Sequence, residues 1–193
     1  MNDAPFPRTR GLALSATFAA LISVTAPISI PLPVTPVPIT FQVLIVYLIA
    51  MTIGPFYGAL SLLIYLLVGL LGLPVYAGAI SGPLVLLGPT GGYLLAFPVA
   101  AFLGGHISSK RGPSRNGDLV RLAASAIAVL AAIYAIGVLG LSISLGIDLY
   151  KAALLGALPF IPVDLLKAVV AVPLAAGIRW SNMQLPIKIG KPR

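Results

Sequence analysis

Residues 56–72 read FYGALSLLIYLLVGLLG, an unbroken apolar run that contains no charged side chain. The same character extends in both directions, because no Asp, Glu, Lys or Arg occurs between Gly11 and Ser109. Over all 193 residues the chain is 59% hydrophobic and only 8% charged. That leaves too little polar surface to cover a soluble globule of this size. The sequence therefore predicts an integral membrane protein.

The apolar stretches are long and continuous, and they lack the ten-residue alternation of membrane barrels, so we predict an all-α fold. Glycine and proline punctuation indicates six transmembrane helices in one compact domain covering residues 1–193. The predicted spans are about 11–28, 40–53, 56–72, 89–108, 119–142 and 159–180. Several are shorter than the roughly 20 residues of a perpendicular span, which favours tilted or broken helices.

Three segments differ from plain spans. Residues 27–38 contain five prolines and cannot be helical, so we expect an outward loop there. Residues 73–92 are apolar but rich in glycine and proline, which indicates irregular backbone lining a cavity. Residues 143–158 are typical of a short amphipathic helix. We expect all three segments to meet at the outer face.

Basic residues mark the predicted cytoplasmic side. Ten of the twelve fall into three groups around the spans: Arg8 and Arg10; Lys110, Arg111, Arg115 and Arg121; Arg179, Lys188, Lys191 and Arg193. Six crossings place all three groups on one side, so we expect a plasma-membrane protein with both termini cytoplasmic. The net charge of +8 then reflects topology and not binding of nucleic acid.

The residue inventory argues against several functions. The chain has no cysteine and a single histidine, which excludes thiolate metal sites and disulfides and disfavours any metal or redox cofactor. It has no P-loop, so energy from ATP would have to come from other subunits. With four carboxylates and no nucleophile–base–acid set, binding is a better hypothesis than catalysis, and we predict no enzyme.

Asp164 and Lys167 place opposite charges three residues apart at the head of the last apolar segment. A charge near the middle of a membrane helix costs about 2.5–3.5 kcal/mol and usually serves a function. One interpretation is an intrahelical ion pair with an aspartate favoured at a helix N-terminus. The other is a ligand site, in which the carboxylate accepts from N–H donors while the ammonium binds a ligand carboxylate or holds the aspartate in place.

Two further segments contribute candidate ligand contacts. Gly91 lies in a glycine-rich stretch that either allows close helix approach or lets a ligand lie against backbone, with Tyr93 as an aromatic wall. Gln42 opens the second span, and its amide either bonds loop backbone or contacts a ligand. The sequence leaves both alternatives open.

Small residues in the first span form two interleaved small-x-x-x-small patterns, Ser15 with Ala19 and Ala16 with Ala20. Such a strip allows close helix contact. It serves either internal packing or docking of another membrane protein.

Four motifs then occur in order, namely PVPITFQ at 36–42, GLPVYAG at 72–78, GPTGGYL at 88–94 and PFIPVDLLK at 159–167. Together they resemble the successive signatures of the BioY family, the biotin-specific S components of energy-coupling-factor (ECF) transporters. The resemblance implies a six-helix S component that captures biotin from outside and pairs with a transmembrane T component and two ATPases.

The resemblance also implies roles for particular residues. In the family the last motif's aspartate and lysine contact biotin, which carries over to Asp164 and Lys167. The glycine-rich stretch before Tyr93 resembles the pocket wall, and the small-residue strip resembles the surface that docks on the T component. One departure is Val163, where the family often has glycine. A second departure is the stretch from Gly78 to Gly82, which carries Ala79, Ile80 and Ser81. Within it, Ser81 is our candidate for a polar ligand contact.

Biotin suits these residues chemically. Its ureido ring offers two N–H donors to a carboxylate, and its valerate carboxylate can pair with a cation. The rest of the molecule is apolar and packs against apolar side chains. Two alternatives stay open beside a biotin-binding transport subunit. Asp164 could be the titrating group of an intramembrane enzyme or of a proton-coupled or solitary small-molecule carrier, or the ion pair could only hold helices together.

Overall fold

The computed structural model describes residues 8–110 and 114–184, the side chains of the last three excepted. The basic residues Arg111, Lys188, Lys191 and Arg193 lie outside the described residues. The elements in chain order are α1 (Arg8–Thr25), β1 (Ser29–Leu32), β2 (Thr35–Thr40), α2 (Gln42–Thr52), α3 (Pro55–Leu70), α4 (Pro83–Leu87), α5 (Gly91–Ser109), α6 (Arg115–Leu145), α7 (Leu149–Gly156) and α8 (Ile161–Gln184).

A helix occurs at each of the six predicted spans, with ends shifted by a few residues. Within the described part of the chain, three stretches can cross a membrane by length and composition: α5, α6 and Ile161–Ser181 of α8. Helices α2 and α3 are shorter but apolar, as expected for the short second span. The predicted helix within residues 143–158 is confirmed as α7. That all six helices cross the membrane stays a prediction.

The all-α prediction is wrong in one place, because residues 29–40 form an antiparallel hairpin of β1 and β2. Its register pairs Ser29 with Thr40 and Leu32 with Thr35, with an irregularity between Ile30 and Leu32. Prolines exclude a helix here, but they are tolerated in a two-stranded ribbon, where each strand has an outer edge without a partner. The expected outward loop is therefore an ordered ribbon.

Helix α5 lies at the centre of the bundle and packs on α2, α3 and α6. Close approach to α6 depends on facing glycines, since a Cβ added at Gly92 would lie 2.8 Å from the Gly140 Cα. A Cβ added at Gly105 would likewise lie 2.7 Å from the Pro55 Cα of α3. Small residues at these crossings let the helix backbones touch.

Arg179 shows which helix ends lie together. Its guanidinium donates to the Met51 and Ser108 carbonyls at 3.2 and 2.7 Å and to the Asp118 carboxylate at 3.1 Å. The last residues of α2, α5 and α8 therefore meet the first turn of α6. The opposite ends of α2, α5 and α8 gather at the other end of the bundle, where the site lies.

Helix α7 covers part of that other end and packs on α6 and β2. It begins at Asp148, whose carboxylate accepts from the Lys151 backbone N–H at 2.9 Å. This bond stabilises the ionised form and holds the pKa of Asp148 below its usual value.

Candidate functional site

A cavity of about 620 Å³, its open mouth included, lies among the gathered ends of α2, α5 and α8. The β2 strand, the loop before α4, and helices α4, α6 and α7 complete its wall. Most of the wall is apolar or aromatic, with Val37, Tyr76, Leu94, Phe97, Ile133 and Phe160 as representatives. Among the described residues that line it, only Asp164 and Lys167 are charged.

Asp164 lies in the first turn of α8, where its backbone N–H donates to the Phe160 carbonyl at 2.8 Å. Its carboxylate Oδ1 accepts from the Lys167 ammonium at 2.7 Å. The aspartate is only 4% exposed. The predicted ion pair is thus present, and it borders the cavity. Pairing and ligand binding are therefore compatible here, because an ionised carboxylate can accept more than two hydrogen bonds.

Tyr134 of α6 is a partner that the sequence analysis missed. Its hydroxyl donates to the Asp164 Oδ2 at 2.8 Å, and its side chain lines the cavity. Tyr47 of α2 also reaches Asp164, but its hydroxyl donates to the backbone carbonyl at 3.4 Å. A tyrosine inside an apolar run needs a hydrogen-bond partner, which is a usable signal. The identity of that partner is set by helix packing.

Gln42 lines the cavity and is 5% exposed. Its amide nitrogen donates to the Tyr65 hydroxyl at 2.7 Å, and Tyr65 in turn donates to the Val75 carbonyl at 3.2 Å. The Thr40 hydroxyl donates to the amide oxygen at 3.0 Å. A primary amide has two N–H groups, so the second remains for a ligand. The amide therefore bonds two side-chain hydroxyls and reaches loop backbone only through Tyr65, unlike the direct bond expected from the sequence. Contact with a ligand stays a prediction.

Tyr93 forms part of the cavity wall, and its predicted contact with a ligand stays a prediction. Its hydroxyl donates to the Gly156 carbonyl at 2.8 Å, which joins α5 to the end of α7. Its ring lies directly against Gly137, where any added Cβ would collide with it. The ring thus packs against α6, and the hydroxyl joins α5 to α7.

Gly91 and Ser81 are not among the residues that line the cavity. Gly91 is buried, and a Cβ there would collide with the Leu86 backbone, so its role is close packing against α4. Thr90 faces the cavity in its place. Ser81 is half-buried in the loop before α4, whose contribution to the wall comes from Tyr76 and Ala77.

The small-residue strip of α1 is divided between two surfaces. Ser15 and Ala19 are buried, and the Ser15 hydroxyl lies 3.0 Å from the Tyr57 carbonyl of α3. These two residues serve internal packing. Ala16 and Ala20 are exposed on the outside of the bundle.

The arrangement can hold a small, mostly apolar molecule with polar ends. A carboxylate offers acceptors for N–H donors, an ammonium offers a positive charge, and aromatic and aliphatic side chains enclose the remainder.

Comparison with known proteins gives consistent matches along the chain. Residues 1–183 match the model of the BioY family. The chain is 43% identical over 175 residues to the "Probable biotin transporter BioY" of Pyrococcus horikoshii, covering 91% of this chain and 99% of that protein. It is 42% identical over 170 residues to the "Biotin transporter BioY" of Thermotoga maritima, covering 88% and 96%.

The fold also resembles a solved structure, described as the S-component for biotin from an ECF-type ABC transporter, at 2.1 Å. The TM-score is 0.77 with 29% sequence identity, and the match covers 90% of this chain and 92% of that one.

Proposed function

This chain belongs to the BioY family, and we propose that it is the membrane subunit that captures biotin in the cavity beside Asp164 and Lys167 and passes it to an ATP-driven ECF transporter. The observation that carries the proposal is the placement of this buried ion pair on the wall of an otherwise apolar cavity. Few ligands need an acceptor, a cation and apolar walls in one small space, and biotin does.

The chemistry of the two partners is complementary. The Asp164 carboxylate suits the ureido N–H donors, and the Lys167 ammonium suits an anionic or carbonyl oxygen. Tyr93 and Phe97 offer aromatic surface for the sulfur-containing ring and the aliphatic chain. Gln42 of α2 adds an amide N–H to the residues that line the cavity.

The positive-inside rule supports a cavity that opens outward. With six crossings, the Arg179 end of the bundle, together with Lys110 and Arg115, is the cytoplasmic end by the positive-inside rule. The hairpin, the loop before α4 and α7 then lie outside, around the cavity mouth. Both termini are cytoplasmic in a plasma membrane.

The remaining subunits are a transmembrane T component and two ATPases, which supply the energy. The exposed Ala16 and Ala20 side of α1 is the proposed contact with the T component, since two small residues one turn apart let another helix approach closely. Ser15 and Ala19 support this surface from inside, where they hold α1 on α3.

The test is binding of biotin to the purified protein in detergent, measured as a dissociation constant and as a shift in melting temperature. We expect biotin to raise the melting temperature and Asp164→Asn to weaken binding by about tenfold or more, since a hydrogen bond to a charged group is lost. A protein whose melting temperature no biotin concentration changes would support the purely structural interpretation of the ion pair.

Asp164→Asn leaves the half-buried Lys167 ammonium without this partner, which lowers stability on its own. The double variant Asp164→Asn/Lys167→Met removes both charges and keeps side-chain volume. If the double variant is folded but does not bind biotin, the loss of binding comes from the missing ligand contacts and not from lower stability. Uptake into vesicles containing only this chain, driven by a pH gradient and insensitive to ATP, would favour the carrier alternative.

A further inference from the structure

The Asp164 carboxylate is held from two sides. Its Oδ1 accepts from the Lys167 ammonium at 2.7 Å, and its Oδ2 accepts from the Tyr134 hydroxyl at 2.8 Å. Lys167 lies one turn further along α8, whereas Tyr134 belongs to α6. The carboxylate is therefore fixed relative to two helices, although only one of them carries it.

The two donors differ in how narrowly they restrict the orientation of the Asp164 carboxylate. A lysine ammonium is a compact charge on a flexible four-carbon stem, so it can follow the carboxylate through several rotamers. A tyrosine has two side-chain torsions and a rigid ring, so its hydroxyl has a narrow range of positions. Tyr134 is thus the donor that fixes the plane of the Asp164 carboxylate.

Hydrogen-bonding capacity remains after both contacts. An ionised carboxylate has about four lone-pair positions, and Lys167 and Tyr134 use two of them. Asp164 lines the cavity, so the others are available to a ligand that enters it. A ligand with paired N–H groups binds best when these acceptors are already oriented, because less ordering is needed on binding.

We propose that Tyr134 is a positioning residue for the ligand: its hydroxyl holds the Asp164 carboxylate in the orientation that receives the N–H donors of biotin. This inference rests on the proposed function. Because Tyr134 belongs to α6, a residue outside the Asp164–Lys167 motif of α8 then contributes to ligand affinity.

The test is a double-mutant cycle on the biotin dissociation constant, with wild type, Tyr134→Phe, Asp164→Asn and the combined variant. Phenylalanine keeps the ring and removes only the hydroxyl. We expect Tyr134→Phe to weaken binding roughly tenfold. In the Asp164→Asn background the same change should weaken binding by less than about twofold, because the carboxylate that it orients is gone.

Tyr47→Phe is the matched control. The Tyr47 hydroxyl also contacts Asp164, but at the backbone carbonyl, and Tyr47 does not line the cavity among the described residues. We expect its biotin affinity to stay within about twofold of wild type. Melting temperatures without ligand show that each variant is folded.

Each outcome either supports or overturns the positioning role of Tyr134. Unchanged affinity in Tyr134→Phe would overturn the positioning role. An equal loss in the wild-type and Asp164→Asn backgrounds would also overturn it, because Tyr134 would then act independently of Asp164. If the wild-type protein binds biotin and only the Tyr134 result fails, the proposed function stands. If wild type does not bind biotin, both proposals fail.

Discussion

Asp118 in the first turn of α6 and Arg179 near the end of α8 form a buried ion pair, with 3.1 Å between Oδ1 and a guanidinium nitrogen. Arg179 follows Asp164 by 15 residues on α8, so a rise of 1.5 Å per residue separates the two by about 22 Å. Asp164 accepts hydrogen bonds from the hydroxyls of Tyr47 on α2 and Tyr134 on α6. Arg179 donates hydrogen bonds to the same two helices. Polar contacts therefore join α8 to α2 and α6 at both ends.

Asp118→Asn should destabilise the protein without weakening the site. Removing the carboxylate from a largely buried ion pair weakens the compensation of the Arg179 charge, and we expect the free energy of unfolding to fall by about 3 kcal/mol. The cavity lies at the other end of α8, so the biotin affinity of the folded variant should equal that of wild type. Thermal unfolding in detergent and a biotin titration measure the two quantities.

Lys151→Ala is the control, because it breaks an ion pair with Asp148 that is exposed to solvent, unlike the largely buried pair of Asp118 and Arg179. Exposed pairs are screened by water, so the melting temperature should barely change. A loss of stability in Asp118→Asn no larger than that in Lys151→Ala would contradict the expected contribution of the buried pair to stability.

Gln42→Leu should weaken biotin binding about tenfold, because the cavity loses an amide N–H donor. Tyr65→Phe removes the hydroxyl that Gln42 contacts but keeps the amide. Both variants should lose about 1–2 kcal/mol of stability, since each leaves a buried polar group without its partner. If the two variants have the same biotin affinity, Gln42 is structural and does not contact the ligand.

Gly92→Ala should lower stability by about 1–3 kcal/mol, because its methyl group would press on the Gly140 backbone of α6. Gly177→Ala is the matched control on α8, where an added Cβ meets nothing within 4 Å. There the better helix propensity of alanine should raise stability by up to about 1 kcal/mol. We expect Gly92→Ala to lower the melting temperature and Gly177→Ala to raise it. An equal decrease in both variants would contradict the close crossing of α5 and α6.

Ala16→Leu and Ala20→Leu should reduce association with the T component while leaving biotin binding by the isolated protein unchanged. Each leucine fills the shallow surface that lets a partner helix approach. Ala131→Leu places the same change on an exposed position of α6 and serves as the control. Co-purification of tagged subunits measures the association, and retention of the complex in both α1 variants would argue against this docking surface.

Sequence reasoning located much of the fold because the membrane imposes simple rules. The exclusion of charge from Gly11 to Ser109 predicts apolar helices, and a helix occurs at every predicted span. The prolines of residues 27–38 predicted a non-helical segment correctly. They did not predict the hairpin, because proline content argues against a helix but does not specify the register in which two neighbouring segments pair.

The candidate site was predicted only in part. Asp164 and Lys167 stand out because charges are rare in an apolar segment, and Tyr93 and Gln42 also line the cavity. Gly91 and Ser81 do not line it, although their motifs lie beside residues that do. Whether a residue in an irregular loop faces a cavity depends on backbone torsions such as the positive φ at Gly78 and Gly82, which composition does not specify.

The sequence by itself determined that this is a helical membrane protein with a costly charge pair at the head of its last helix, because both follow from the energy of burying charge. Only the tertiary structure decided what surrounds that pair. Tyr134 is 30 residues away from Asp164 in the chain, and their 2.8 Å contact exists because α6 packs against α8. Such contacts depend on how side chains interlock between helices, which no local pattern encodes.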